Sequence, residues 1–219
     1  MNLDDRHNAD MSSGRFIVFE GIDGSGKTTQ AQILANRIRE AGRIVHVTSE
    51  PTNSPIGNLI RQGMTGRIQL DDRVIAALFA ADRIDHLTNH TDGILDLLAS
   101  GCTVISDRYY FSSYAYHTDY TGQAWVKHAN AIAEGLLRAD LTIYLDISPD
   151  IAVERLSKGR SFQERYERLD RLVSVRNSYE QAFRDADDTE NIVIVDGHGD
   201  VESTSKSVWA VVEQHLTAF

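Results

Sequence analysis

The stretch that decides the reading is Phe19-Glu20-Gly21-Ile22-Asp23-Gly24-Ser25-Gly26-Lys27-Thr28-Thr29-Gln30. Gly21 to Thr28 match G-x-x-x-x-G-K-[S/T], the pattern of a loop that wraps a polyphosphate. Context strengthens the match. The β-rich run Arg15–Glu20 (RFIVFE) leads into it, and Ala31, Leu34, Ala35 and Ile38 behind it follow the i, i+3, i+4, i+7 spacing of an amphipathic helix. That helix is expected from Lys27 to Ala41, with Gly42 as its left-handed cap. Gly21, Gly24 and Gly26 let the backbone turn its N–H groups inward, and the helix N-terminus adds partial positive charge. Lys27 supplies a full charge near the β and γ phosphates, and the Thr28 hydroxyl is placed to ligate Mg²⁺. Asp23 is the anomaly: a carboxylate inside a loop built for anions.

Working outward, four more β-rich runs follow: Ile44–Ser49, Thr103–Asp107, Leu141–Asp146 and Ile192–Asp196. Helical patterns separate them, which predicts an α/β fold with a parallel sheet covered on both faces. Helices are expected over Asp72–Thr88, Ile94–Ser100, Trp125–Arg138 and Val201–Leu216. Ser148-Pro149-Asp150 opens another, as cap, first-turn proline and dipole-complementing acid. Three runs end in Asp and another in Glu20, at the carboxyl ends where such sheets place ligands. Residues 1–13 read as a flexible polar leader, with Met11 as an alternative start, and 14–219 as a single domain.

The chain has 219 residues, a formal charge of −10 and 42% hydrophobic residues, enough for a substantial core. The acidic balance argues against nucleic acid or an anionic membrane as the main partner. No apolar run approaches the roughly 18 residues that would mark a membrane span. One cysteine, Cys102, cannot form an internal disulfide and reads as a small buried residue in a reducing compartment. The absence of an Asn-Lys-x-Asp motif argues against a GTPase, the small size against a motor, and small-molecule kinases remain.

A second constellation looks made for an acceptor. Asp107-Arg108-Tyr109 closes a strand beside the loop, so Asp107 can hold Mg²⁺ and Arg108 can reach a second anion. Phe79 and Arg83 lie four residues apart on one helix face, where a ring can stack on a base and a guanidinium can bond its carbonyl. Read singly, Phe79 is equally a core aromatic and Arg83 a surface arginine. Leu156–Arg171 is a basic run (Lys158, Arg160, Arg165, Arg168 and Arg171, with Arg155 just before it). Such a run is either a solvated helix or a mobile lid that brings guanidinium groups onto the transferring phosphoryl.

These blocks together resemble the thymidylate kinases. FEGIDGSGKTTQ, EPTNSPIGNLIR, LFAADR and DRYYFSSYAY, followed by the lid RSFQERYE, occur in the family's order and span most of the chain. The resemblance implies a P-loop NTPase-type three-layer sandwich with strand order 2-3-1-4-5 and a short helical lid at about 156–171. It implies ATP with Mg²⁺ as donor and dTMP as acceptor, in a cytoplasmic homodimer serving dTTP synthesis. Gly21 to Thr29, including Ile22, Ser25 and Thr29, would line the ATP site, with Arg155 beside the adenine. Asp23 would reach across to the acceptor's 3′-hydroxyl, which accounts for the odd carboxylate. Glu50, Pro51, Phe79, Arg83, Arg108, Ser112, Ser113 and Tyr116 would form the acceptor site, Phe79 stacking on thymine and Tyr116 sitting near C2′. Lys27, Arg108 and the lid arginines Arg160 and Arg165 would be catalytic, because the loop carries Gly24 and Ser25 where some relatives carry an arginine. Two positions depart from many bacterial relatives: Ser49 replaces an Arg before Glu-Pro, and His117 replaces a Gln. Both leave base selectivity open, so another monophosphate (dUMP, UMP or CMP) is the alternative acceptor, and a non-catalytic ATP-binding module the alternative class.

Overall fold

A computed structural model describes residues 14–159 and 168–216. Five strands, β1 (Phe16–Glu20), β2 (Val45–Ser49), β3 (Thr103–Asp107), β4 (Leu141–Asp146) and β5 (Ile192–Asp196), form one sheet in the order β2-β3-β1-β4-β5. Every pairing is parallel. This is the expected three-layer architecture. The central strand β1 is buried throughout, and the side-chain alternation of a strand explains how it serves both faces. Ile17 and Phe19 join one core with Leu34, Ile38 and Ile143; Phe16 and Val18 join the other with Val104 and Tyr144.

Helices α1 (Lys27–Glu40) and α9 (Val201–His215) cover the first face, burying Ala31, Leu34, Ala35 and Ile38 of α1 against Val208 and Val212 of α9. The second face carries α5 (Tyr110–Thr121), α6 (Gln123–Leu136) and α8 (Leu169–Arg184) around a cluster of aromatic rings. Tyr144, Tyr179 and Phe183 sit with centroids 5.0 to 5.8 Å apart there, the edge and tilted geometry such rings prefer. The remaining elements are α2 (Pro55–Met64), α3 (Asp72–Thr88), α4 (Ile94–Ala99) and α7 (Pro149–Gly159).

Three helices follow their caps; ahead of α3, Asp71 accepts from Arg73 N–H. Ser54 accepts from Gly57 N–H with Pro55 at the first turn, and Asp200 accepts from Ser203 N–H. α5 is different. Its residues Tyr110 to His117 are all buried, although so aromatic a run carries no helical stripe. The helix is started from outside: Glu20, on β1, accepts from the N–H groups of Tyr109 and Ser112 at 2.9 and 3.1 Å. The leader 1–13 and Arg160 and Arg165 of the lid lie outside the described residues.

Candidate active site

Parallel register puts the tips of β1, β3 and β2 side by side, with Phe19 opposite Asp107 and Ser49 opposite Asp107 on the other flank. A cleft of about 800 Å³ opens above them, in the range usual for a small-molecule site.

The donor wall is the glycine loop. Gly24 has φ +83°, and a β-carbon there would lie 2.7 Å from the Ala152 carbonyl of α7. Gly26 has φ +94° with open space where a side chain would stand, at the position that starts α1. Lys27 reaches back along its own loop, donating to the carbonyls of Gly21 at 3.0 Å and Ile22 at 2.9 Å. Gly21 and Ile22 therefore serve the site through these carbonyls; neither lines the cleft, and the Ile22 side chain is in the core. Burial first, then the nearby Arg108 charge, pull the Lys27 ammonium down to about 8. Ser25, Thr28 and Thr29 line the wall directly. Arg155 lines it too, donating to the carbonyls of Gly197 at 2.9 Å and Gly199 at 3.2 Å in the loop before α9.

Between the walls, the Thr28 hydroxyl donates to Asp107 Oδ2 at 2.5 Å. Asp107 Oδ1 is buried with no hydrogen-bond partner. A hydroxyl and an orphaned carboxylate oxygen converging beside a phosphate loop are the oxygen donors a small hard cation takes. The residues fit Mg²⁺.

The acceptor wall is set by an unusual turn. Arg108 has φ +80°, a left-handed conformation that costs a side-chain-bearing residue about 1–2 kcal/mol. Its N–H donates to Phe19 O at 2.9 Å and its carbonyl accepts from Ser106 Oγ at 2.7 Å. So held, the turn throws the guanidinium back over the loop, where Nη2 donates to Asp23 and Nη1 to Ser112 Oγ at 3.1 Å. Tyr116 completes the joint: its hydroxyl donates to Asp23 Oδ2 at 3.0 Å and accepts from Asp23 N–H at 3.2 Å. Burial pushes the Asp23 carboxyl up, but Arg108, Lys27 and these hydrogen bonds outweigh it and hold its pKa below the usual range. Pro51, Phe79, Ser112, Ser113 and His117 extend this wall.

Two expected substrate contacts lie behind the wall. Arg83 is fully buried, and each of its five N–H donors has a protein acceptor. Nε and Nη2 bond Glu50 at 2.9 and 2.6 Å, Nη1 bonds Ser113 and Asn130, and Nη2 also bonds Tyr109 O at 3.1 Å. A guanidinium has five such donors, so none remains for a base carbonyl. Glu50 is buried as well, bonded to Arg83 and to His86 Nδ1 at 3.2 Å. The pair supports the pocket rather than lining it, because two buried charges must face each other.

The same layer holds groups the sequence reading did not single out. Glu20 accepts from Ser112 Oγ at 2.6 Å and Tyr179 Oη at 2.8 Å besides capping α5. Burial raises its pKa, and the Ser112 hydroxyl, the Arg108 charge, the Tyr179 hydroxyl and the Tyr109 N–H pull against the rise. An acid ending so apolar a strand was the available signal; for Tyr179 and Asn130 no local signal existed. Arg61 of α2, the last residue of EPTNSPIGNLIR, also lines the cleft and clamps the carbonyls of Pro51 and Thr52 at 2.6 and 2.5 Å.

Comparison with known proteins agrees with this geometry. The thymidylate kinase family profile matches residues 19–208. A probable thymidylate kinase of Staphylothermus marinus is 36% identical over 207 residues, covering 94% of this chain and 98% of that one. A thymidylate kinase of Thermomicrobium roseum is 35% identical over 206 residues (91% and 94% of the two chains), and one from Leptospira interrogans 36% over 167 (76% and 80%). With the phosphate loop, the strand order and the Asp107-Arg108 turn all in place, the chain belongs to the thymidylate kinase family.

Proposed function

We propose that the protein transfers the γ-phosphoryl group of ATP to dTMP, giving ADP and dTDP for dTTP synthesis. One observation carries the reading: the phosphate loop and Arg108 meet through Asp23, so two anion sites adjoin at the tips of β1 and β3.

In the reaction, an oxygen of the acceptor phosphate attacks the γ phosphorus and the bond to the β-phosphate oxygen breaks. The acceptor oxygen is already ionised, so no general base is required. Catalysis is then positioning and charge neutralisation. The loop N–H groups and Lys27 hold the donor. Arg108 holds the acceptor phosphate, Asp23 the 3′-hydroxyl, and Tyr116 stands where a ribose 2′-hydroxyl would collide. Phe79 offers its ring to the base, and Arg155 flanks the adenine. Mg²⁺, held by Thr28 and Asp107, would neutralise phosphate charge. The segment 156–171 acts as the lid, with Arg160 and Arg165 supplying guanidinium groups on closure; leader 1–13 and domain 14–219 complete the organisation.

The protein is proposed to work in the cytoplasm, consistent with a single free cysteine. No helix among the described residues is long and apolar enough to cross a membrane. A homodimer is proposed on the outer face of α6, where Trp125, Ile132 and Leu136 are 41%, 59% and 42% exposed at helical spacing. Sedimentation should give twice the chain mass.

The function is tested by mixing the protein with Mg·ATP and each nucleoside monophosphate and following ADP release. dTMP should be the preferred acceptor. Preference for UMP, CMP or AMP would overturn the substrate, and ATP binding without any acceptor-dependent ADP would overturn the enzyme.

A further inference from the structure

The donor side of the cleft has a wall apart from the phosphate loop. It is the turn Gly197-His198-Gly199, which joins β5 to Asp200, the cap of α9. Gly197 and Gly199 line the cleft, and their carbonyls accept from Arg155 Nη2 at 2.9 and 3.2 Å. Neither position has room for a side chain. A β-carbon on Gly197 would lie 2.8 Å from Ile147 Cγ2, and one on Gly199 would lie 2.4 Å from Ser203 Oγ. A turn with glycine at both ends is costly to order, and His198 supplies its one side chain.

His198 is not among the residues lining the cleft. Its ring is engaged at both nitrogens instead. Nδ1 lies 2.6 Å from Oδ1 of Asp196, the last residue of β5, and Nε2 accepts from Ser148 N–H at 3.0 Å, just ahead of α7. The carboxylate needs an N–H opposite it and the Ser148 N–H needs a lone pair, so these partners fix one tautomer, protonated at Nδ1. The backbone N–H of His198 donates to the same Asp196 Oδ1 at 2.9 Å, and that of Gly197 to Asp146 O at 2.9 Å. The ring is thus a strut from the end of β5 to the start of α7, the helix that carries Arg155. His198 and Asp196 are 43% and 79% exposed, so their charges add little to stability. The strut matters for where it holds the turn.

Under the function proposed above, on which this inference rests, ATP lies along this wall with Arg155 beside the adenine. We propose that His198 is a positioning residue of the donor site: its ring pins the Gly197-Gly199 turn to the start of α7, so the turn and Arg155 meet the donor's nucleoside already ordered. The phosphates are held elsewhere, by Lys27 and the glycine loop. The strut therefore sets affinity for the nucleoside end alone.

The test compares ATP with inorganic triphosphate, which engages the phosphate loop and has no nucleoside. His198→Ala should weaken ATP binding by calorimetry, and raise the ATP KM, about five- to tenfold, the cost of ordering one freed residue on binding. Triphosphate binding, the dTMP KM and kcat should stay within about twofold, the range of an exposed substitution, and the melting temperature should hold. His198→Gln, whose amide oxygen reaches the Nε2 position, should recover most of the loss; His198→Asn, one carbon shorter, should not. Asp196→Ala frees the tautomer and should cost a similar factor. Combined with His198→Ala it should cost no more, as for two parts of one strut. In nitrogen NMR of the unaltered protein, the His198 ring, identified by its loss in His198→Gln, should carry its proton on Nδ1, the minority form of a free neutral imidazole. A proton on Nε2, unchanged ATP affinity in His198→Ala, or equal losses for ATP and triphosphate would each overturn the proposal. Weaker ATP binding in His198→Ala, with no ADP released by the unaltered protein, would uphold the strut and overturn the kinase reading. Failure of the unaltered protein to bind ATP would overturn both.

Discussion

The donor loop and the acceptor pocket share a cleft but are made in opposite ways. The donor loop is contiguous: Lys27 bonds the carbonyls of Gly21 and Ile22, six and five residues away. The acceptor pocket is assembled from distant chain. Asp23 meets Arg108 85 residues on, Glu20 meets Tyr179 159 residues on, and Arg83 meets Glu50 33 residues back. A phosphate loop needs a set of backbone angles, which a few glycines permit anywhere a strand meets a helix. A base-reading pocket needs side chains aimed from several elements, so its precision depends on the layer behind it.

The sharpest way to break the contrast is Arg83→Met. It strands Glu50 in the interior, with His86 as the neighbour left to it, and should cost about 3–5 kcal/mol of stability. Urea unfolding would measure this directly, and melting should fall by roughly 6–20 °C for a domain of this size. A loss under about 1 kcal/mol would mean that the acceptor pocket does not lean on this pair. Next comes Lys27→Ala, a change on the donor side that should leave the fold alone. Turnover with ATP should drop by about 10² to 10³, the usual worth of one charge-stabilising donor, while the unfolding midpoint stays within about 1 kcal/mol because no buried partner is orphaned. Unfolding as severe as that of Arg83→Met would erase the distinction between the two regions.

The smallest effect is a titration. Lys27 loses its proton near pH 8 in the free protein, against 10.5 when unperturbed. ATP affinity should be level below about pH 8 and weaken toward tenfold per unit above it, as the charged form disappears. Folding stability moves the other way. Between about 8 and 10.5 the unfolded chain binds the proton that the folded chain has released, so this residue's contribution rises with pH across that window. Lys27→Arg should flatten both curves in parallel measurements of nucleotide binding and unfolding. A level ATP affinity through pH 9 in the unaltered protein would show that the ammonium is held charged.

Much of the sheet was legible from apolar runs alone, with β1 and β2 each starting one residue later than the runs suggested. Three helices were not. α2 follows Ser54-Pro55, a start of the same kind as Ser148-Pro149, and stood unread inside a block valued for its motif. α8 was masked by the charges before it, and α5 by its aromatic content. Its helical state depends on Glu20, about ninety residues earlier, receiving its first N–H groups. Phe79 and Arg83 illustrate the limit well. Helical spacing put them on one side of α3, and the structure sets Phe79 on the cleft and Arg83 behind it. Periodicity gives a direction around an axis; it does not say where the cleft ends and the interior begins.

By itself, then, the order of residues determined the polyphosphate loop, the parallel α/β layering and the placement of Asp107 and Arg108 at a strand tip. These depend on φ/ψ preference and apolar spacing over a dozen neighbouring residues. Only the tertiary structure decided that Arg83 is saturated by Glu50, Asn130, Tyr109 and Ser113, that Ser112 is committed, and that Ser113 and His117 are left facing the cleft. Hydrogen-bond capacity is finite, and which donors remain for a ligand is known only after every buried partner has been counted.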